Sequence, residues 1–356
     1  MLHARLQKRF QASPGSAEFS LDLEFEARPG ITVLFGPSGA GKTLALDSIA
    51  GFVKPDEGRV LLDNQILFDG LARVSLPPQK RHCGYVFQNY ALFPNMTLRQ
   101  NLEFALHGRP RLERHRRVNQ MLERFHLEDM QARHPHELSG GQKQRCSIAR
   151  ALIGAPRVLL LDEPARGLDA PLLADLYKII RQVRDEYHIP IVLVTHDLDE
   201  CIELGDEIVV VREGRMVQSG MPPDVFDRPA TIEVAQLLGL HNLLSVEIVA
   251  LDPGRKLSRL RYVEWELAGP YFPGHLIGDR VWLCVRPRQM TAAPRAGRPL
   301  ANQIPVTLER AVERTHGLRL EFAGDVAVED SNVSVEDARR VKEWVVEIPP
   351  TAMRLL

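Results

Sequence analysis

The octapeptide Gly36-Pro37-Ser38-Gly39-Ala40-Gly41-Lys42-Thr43 constrains this chain more than any other stretch. It directly follows the β-branched apolar run ITVLF and opens a helical pattern from Lys42 to Gly51, so strand must pass to helix through a glycine-rich loop. Such a loop lets the backbone wrap close to an anion, with its N–H groups and the positive end of the following helix facing the charge. The spacing GxxxxGK[ST] between a strand and a helix is the pattern that cradles nucleotide phosphates. Lys42 is placed to reach the β- and γ-phosphates and the Thr43 hydroxyl to ligate Mg²⁺, so ATP and Mg²⁺ are the expected ligands.

Around this loop, continuous apolar runs alternate with helical patterns: VLLLD before Ala170 to Tyr187, IVLVT before Asp199 to Leu204, and finally EIVVVREGRMVQSG. That alternation predicts an α/β unit whose parallel sheet is covered on both faces. From about Asn242 the runs become short and strand-like, as in LLSVEIVAL, DRVWLCVRP and KEWVVEIPP, with turn residues such as Asp252-Pro253-Gly254 between them. This is the rhythm of a small β-barrel or sandwich. The expected domains are 1–234, α/β, and 235–356, all-β, with the Pro/Arg-rich stretch 286–301 as a linker between two sub-lobes of the latter.

A net charge of -1, from 45 basic against 46 acidic residues, gives no global field for nucleic acid or anionic lipid, so no nucleic-acid partner is expected. Cys83, Cys146, Cys201 and Cys284 stand far apart without a CxxC pair, which argues against a zinc site or a disulfide framework and fits a reducing cytosol. The start MLHARLQKRF has no apolar signal region and the longest apolar runs are too short to cross roughly 30 Å of hydrocarbon, so membrane contact must come through a partner.

Asp162 and Glu163 follow VLLL at the end of a buried strand, where open α/β sheets present ligand-binding groups. An Asp-Glu pair after a strand is by itself an ordinary surface turn; the phosphate loop upstream changes its reading. Asp162 would hold the Mg²⁺ shell, and Glu163 would polarise the attacking water. Farther on, Leu138-Ser139-Gly140-Gly141-Gln142 opens the helical run KQRCSIARALIGAP, so Ser139 and the Gly140 and Gly141 amides sit at a helix N-terminus with little side chain in the way of an anion.

With LSGGQ in place the chain is identified as resembling the ABC ATPases, and the fold implied is a P-loop NTPase domain with a helical subdomain. The resemblance implies that Ser139, Gly140, Gly141 and Gln142 complete the nucleotide site of the opposite subunit, in a head-to-tail dimer that sandwiches two ATP molecules. Gln88, in YVFQNYALFPN, falls at the family's Q-loop, whose glutamine senses Mg²⁺ and the attacking water and whose following segment touches a membrane subunit. His196, in VLVTHD, matches the switch histidine that contacts the γ-phosphate and orients Glu163; Asp169, in ARGLDA, matches the D-loop aspartate. Arg166 departs from the pattern, since relatives more often carry a small serine there. An aromatic residue that stacks on adenine is expected before the phosphate loop; Phe10 is the candidate, with a core position as the alternative.

The stretch LPPQKRHCGYVFQNYALFPNMTLRQNL resembles bacterial import ATPases, and the trailing β region with GDRVWLCVRP resembles their oligonucleotide-binding-like TOBE domain. FEARPGITVLFGPSGAGKT, ILFDGLARVSLPPQKR and IVALDPGRKLSRLRY are most similar to molybdate or tungstate importer ATPases. Sulfate, ferric-iron, polyamine and sugar importers are close to the same text. The resemblance implies permease subunits as direct partners, a periplasmic solute-binding protein as an indirect one, and a peripheral place on the cytoplasmic face of the bacterial inner membrane. A DNA-maintenance ATPase of the same superfamily is the rival class, although it would insert a long coiled coil before LSGGQ. Arg286, Arg288 and Ser258 could sense an oxyanion in the second domain, the alternative being a purely structural domain.

Overall fold

The apolar runs of the first half form the middle of one sheet. The computed structural model describes residues 1–12, 17–314, 317–330, 338 and 340–356, and it divides into two compact units, Met1–Val225 and Phe226–Leu356. The division lies upstream of the 234/235 boundary expected from the sequence, within the helix Pro222–Asp227.

In the first unit the strands are β1 (Leu2–Phe10), β2 (Phe19–Ala27), β3 (Gly30–Phe35), β4 (Glu57–Leu62), β5 (Gln65–Asp69), β6 (Val74–Ser75), β7 (Cys83–Val86), β8 (Val158–Asp162), β9 (Pro190–Thr195), β10 (Glu207–Arg212) and β11 (Arg215–Gly220). They make one eleven-stranded sheet in the order β6-β5-β4-β1-β2-β11-β10-β3-β9-β8-β7. The expected parallel sheet is its β10-β3-β9-β8-β7 part. The correction is that antiparallel pairs β1-β2, β1-β4 and β4-β5 extend it, with alternate residues buried at Leu2, Ala4 and Leu6 of β1 and at Leu21, Leu23, Phe25 and Ala27 of β2. Alternation is what a strand with one covered face requires, whereas β8 and β9 are buried throughout.

Register decides where the chemistry can sit. Phe35 stands opposite Thr195, Val194 opposite Asp162, and Leu161 opposite Val86. The parallel strands therefore end almost level, and Gly36, His196, Glu163 and Gln88 leave the sheet at one edge.

The helices are α1 (Lys42–Ala50), α2 (Leu98–Phe104), α3 (Arg111–Arg124), α4 (Gly140–Ile153), α5 (Ala170–Tyr187) and α6 (Leu198–Leu204). The helical subdomain is α2, α3 and α4, which pack on one another. The helix α3 has only 14 residues, so no long coiled coil lies between α1 and α4 among the described residues.

Arg81 is buried at 1 % exposure and its Nη1 donates to the carbonyls of Ser48 and Ile49 at 2.8 Å each. These are C-terminal carbonyls of α1 with no partner inside the helix, and a cation there also complements the helix dipole. Arg81 thus fixes the far end of the helix that follows the phosphate loop. Gly51 makes room for it: a Cβ there would lie 2.6 Å from Arg81 Nε.

The second unit holds two five-stranded antiparallel sheets. One contains Asn242–Asp252, Leu257–Tyr262, Trp265–Pro270, Arg280–Val285 and Arg354–Leu355; the other contains Thr291–Pro294, Gln303–Arg314, Gly317–Phe322, Val326–Asp330 and Glu343–Glu347. Their buried faces form one core around Trp344, whose ring lies 6.1 Å from Phe322 and whose Nε1 donates to Val341 O at 2.8 Å. The stretch expected as a linker is corrected in part, because Thr291–Pro294 is a strand paired with Glu343–Glu347.

Two buried asparagines join the sheets. Asn242 exchanges two hydrogen bonds with the backbone of Ala327, at 2.7 and 2.8 Å, and Asn302 does the same with Ala268, at 2.9 and 2.6 Å. Each amide imitates a strand neighbour, so neither backbone group is left unpaired in the core.

Candidate functional site

The loop from Gly36 to Gly41 is shaped by positions that tolerate no side chain. At Gly36 a Cβ would lie 2.1 Å from the backbone oxygen of Val211, and Gly41 caps α1 at φ 97°. Ala40 N donates to Pro37 O at 3.2 Å and closes the turn over Pro37, Ser38 and Gly39. Lys42 folds back beneath the loop, and its Nζ donates to Gly36 O at 2.7 Å and Pro37 O at 2.8 Å. Burial lowers the Lys42 pKa, while the charges of Glu163 and Asp162 act the other way. The ammonium therefore waits at the base of the anion cradle, hydrogen-bonded to two neutral carbonyls.

Thr43 Oγ1 donates to Asp162 Oδ1 at 2.9 Å, joining the first turn of α1 to the end of β8. Burial pushes the Asp162 carboxyl up, opposed by the Thr43 hydrogen bond and reinforced by the charges of Asp47 and Glu163. A carboxylate in that state gains from a nearby cation. Hydroxyl and carboxylate oxygens are also the donors that Mg²⁺ selects, with nucleotide phosphates completing its shell. Among the described residues no cluster of three His, Cys, Asp or Glu side chains forms a separate metal site.

Glu163 is the next residue, and its backbone is unusual. Its φ is 44°, in the left-handed region, and its N–H donates to Val194 O at 3.0 Å. Non-glycine residues occupy this region at a cost, and such outliers gather at functional sites. The twist aims a carboxylate with only 15 % side-chain exposure at three partners. Gln88 Nε2 donates to Oε2 at 2.9 Å, His196 Nδ1 lies 3.3 Å from Oε1, and Arg166 Nη1 lies 3.3 Å from Oε2. An open cleft of about 540 Å³ adjoins them, lined by Phe87, Gln88, Asn89, Asp162 and Arg166.

The structure thus brings Lys42, Thr43, Gln88, Asp162, Glu163 and His196 to one edge. It does not bring Ser139 or Asp169 there. Ser139 caps α4 in a reciprocal pair, with Gln142 N donating to its Oγ at 3.3 Å and Ser139 N donating to Gln142 Oε1 at 3.0 Å. Asp169 caps α5 by accepting from Leu172 N at 3.1 Å. Gly140 lies beside Leu168, and a Cβ at Gly141 would meet Leu172 Cδ2 at 2.7 Å, so LSGGQ and the D-loop form one packed surface. Among the described residues no hydrogen bond joins Ser139–Gln142 to Gly36–Thr43.

Some residues were not singled out in the sequence. Tyr90 and Ala91, just after Gln88, have φ of 62° and 46°. They are held from α4: Arg150 donates to Ala91 O at 2.8 Å and Tyr90 O at 3.2 Å, and Ser147 Oγ donates to Tyr90 O at 3.0 Å. The helix that begins at LSGGQ therefore clasps the loop that carries Gln88. The available signal was a lone arginine among apolar residues in SIARALI.

Phe10 is 41 % exposed at the end of β1, which rules out the core alternative. In the second unit, Arg286 and Arg288 both meet Asp227, at 2.7 and 3.1 Å, while Ser258 is buried and donates to Pro270 O at 2.7 Å. The two arginines share one carboxylate, and Ser258 is engaged apart from them.

A glycine cradle with a lysine beneath it, a hydroxyl–carboxylate pair and a poised second carboxylate define a P-loop NTPase site. The ABC transporter family profile matches residues 21–166. Among similar proteins are the molybdenum import ATP-binding protein ModC of Paramagnetospirillum magneticum (36 % identity; 69 % of this chain, 68 % of the relative) and the spermidine/putrescine import ATP-binding protein PotA of Nitrosospira multiformis (39 %; 76 % and 73 %). A third is the sulfate/thiosulfate import ATP-binding protein CysA of Nitrosomonas europaea (42 %; 67 % and 65 %). Among solved structures, a dimeric ATP-binding cassette in a post-hydrolysis state bound to ADP and Pi aligns with a TM-score of 0.54 at 27 % identity, over 62 % of this chain and 99 % of that one. The chain belongs to the ABC transporter ATP-binding proteins. Its two antiparallel sheets are compatible with a TOBE domain.

Proposed function

We propose that this chain hydrolyses ATP to drive an oxyanion importer, and that it works as a head-to-tail pair. The observation that carries the reading is the meeting of Gln88, Glu163 and His196 beside Lys42, Thr43 and Asp162 at the level ends of parallel strands. Lys42 leaves its two loop carbonyls for the β- and γ-phosphates, gaining charge-assisted hydrogen bonds in place of neutral ones. The backbone N–H groups of Ser38, Gly39, Ala40, Gly41, Lys42 and Thr43 enclose the phosphates. Mg²⁺, held by Thr43, Asp162 and Gln88, would neutralise developing charge on the phosphates. Glu163 accepts the proton of the attacking water, and His196 fixes the carboxylate and contacts the γ-phosphate. Ser139, Gly140, Gly141, Gln142 and Asp169 serve the nucleotide of the other copy, a reading supported by Ser139 and Asp169 being engaged as caps of their own helices. Phe10 stacks on the adenine.

In the pair, ATP-driven closure is passed through the segment after Gln88 to permease subunits, which a periplasmic binding protein loads; hydrolysis then reopens it. Among the described residues no helix is long and apolar enough to cross a membrane, which fits a peripheral subunit on the cytoplasmic face. Molybdate is the solute favoured by the ModC and WtpC names among the relatives, with sulfate and polyamines as competitors at similar identity. The Glu163→Gln variant is expected to bind ATP and accumulate as a closed dimer on size exclusion while hydrolysis falls by about 10²- to 10⁴-fold. Near-normal hydrolysis by that variant would overturn the assignment. Uptake of labelled molybdate by cells with and without the gene tests the solute, and loss of sulfate uptake alone would replace it.

A further inference from the structure

Arg166 sits in the turn between β8 and α5. The turn itself makes its contact with Glu163: Arg166 N donates to Glu163 O at 3.2 Å, and Gly167, at φ 76°, redirects the chain immediately afterwards. The guanidinium Nη1 then lies 3.3 Å from Glu163 Oε2, the oxygen that also accepts from Gln88 at 2.9 Å. His196 takes the other oxygen. An ionised carboxylate offers about four lone-pair positions, and here three of them face protein groups.

The pair is unequal. The Arg166 side chain is 63 % exposed and that of Glu163 is 15 % exposed, so the arginine end can be reached by ions while the carboxylate end is sheltered. Arg166 also lines the open cleft with Phe87, Gln88, Asn89 and Asp162. Exposed ion pairs of this kind contribute little to stability. The effect of Arg166 falls instead on the direction in which Glu163 points.

We propose that Arg166 is a latch on Glu163. It is a positioning residue that holds the carboxylate toward the β8–α5 turn, with nucleotide bound as without it, and slows hydrolysis until dissolved anions draw the guanidinium away. The proposal rests on Glu163 being the water-activating base. A base must turn a lone pair to the water it activates, and the latch keeps Oε2 committed to nitrogen donors instead.

The test is steady-state Mg-ATP hydrolysis by the purified full chain as wild type, Arg166→Ser, Arg166→Lys and Glu163→Gln, at about 0.05 M and about 0.5 M NaCl, across which an exposed ion pair is progressively screened. Arg166→Ser is expected to raise kcat by about two- to fivefold with KM unchanged, the range that release of one exposed ion pair allows. Wild-type kcat should rise with salt, that of Arg166→Ser should not, and Arg166→Lys should fall between them. A kcat of Arg166→Ser at or below wild type, with Glu163→Gln inactive, overturns the latch alone. Full activity in Glu163→Gln overturns the base assignment and the latch with it. Should Arg166→Ser fail to fold, an equal salt response in wild type and Arg166→Lys still overturns the proposal, and a larger one in wild type supports it.

Discussion

In the first unit β8 and β9 are apolar up to their last residues, Asp162 and Thr195, where polar side chains begin, whereas in the second unit the strand Gly317–Phe322 buries alternate residues and two asparagines lie in or beside the core. Both arrangements satisfy the backbone, but they leave polar groups in different states. The two asparagines and Trp344 of the second unit are committed: Asn242 to Ala327, Asn302 to Ala268, Trp344 to Val341. Those at the strand ends of the first are held by replaceable contacts, as Lys42 is by two carbonyls. A site that must accept a ligand needs donors whose present partners can be exchanged, and that is the physical difference between the two regions.

The comparison breaks most readily at Trp344. Trp344→Ala should cost the second unit about 3–5 kcal/mol, seen as a lowered unfolding transition, and leave ATP affinity unchanged; a parallel loss of nucleotide binding would show that the units are not energetically separate. Glu200 is the exception inside the first unit. It is 2 % exposed on α6, and burial pushes its pKa from 4.5 up to about 7, with the Thr195 hydrogen bond opposing. Between those values the folded chain keeps a proton that the unfolded chain has released, so stability falls as pH rises through the window and stays lower above it. The loss is at most about 3 kcal/mol, and Glu200→Gln should remove it, as urea unfolding at about pH 5 and about pH 8 would read. Lys42→Ala should weaken binding of a fluorescent ATP analogue by about 10- to 100-fold, the equivalent of one charge-assisted hydrogen-bonding group. Ser139→Ala should cost about 1 kcal/mol as a lost helix cap, measured by thermal unfolding without nucleotide.

The strand–loop–helix around Gly36–Thr43 was legible because every residue that shapes it is local. The same holds for β8, β9 and the capped start of α4 at Ser139. Register was not legible: that Val86, Asp162 and Thr195 end level is a property of strand pairing across long separations. The antiparallel extension from Leu2 to Ser75 escaped the reading because half-buried alternation is a weaker signal than a solid apolar run. Arg81, Arg150 and the two bridging asparagines escaped for another reason. Their partners are backbone carbonyls and amides far along the chain, and a backbone group carries no letter in the sequence. Arg166 was noticed only as a departure from the pattern; its contact with Glu163 required the turn to be seen.

The left-handed φ at Glu163 limits how this position can drift. Asparagine, aspartate and glycine tolerate that conformation, while valine, isoleucine and threonine would add their own strain to the loss of the carboxylate. On the proposed role of Glu163 as base, a descendant that abandons catalysis is therefore expected to do so through a residue that leaves the turn undisturbed, yielding an inert copy with the same backbone. Such a pseudoenzyme would be betrayed by one letter after VLLLD, not by its shape.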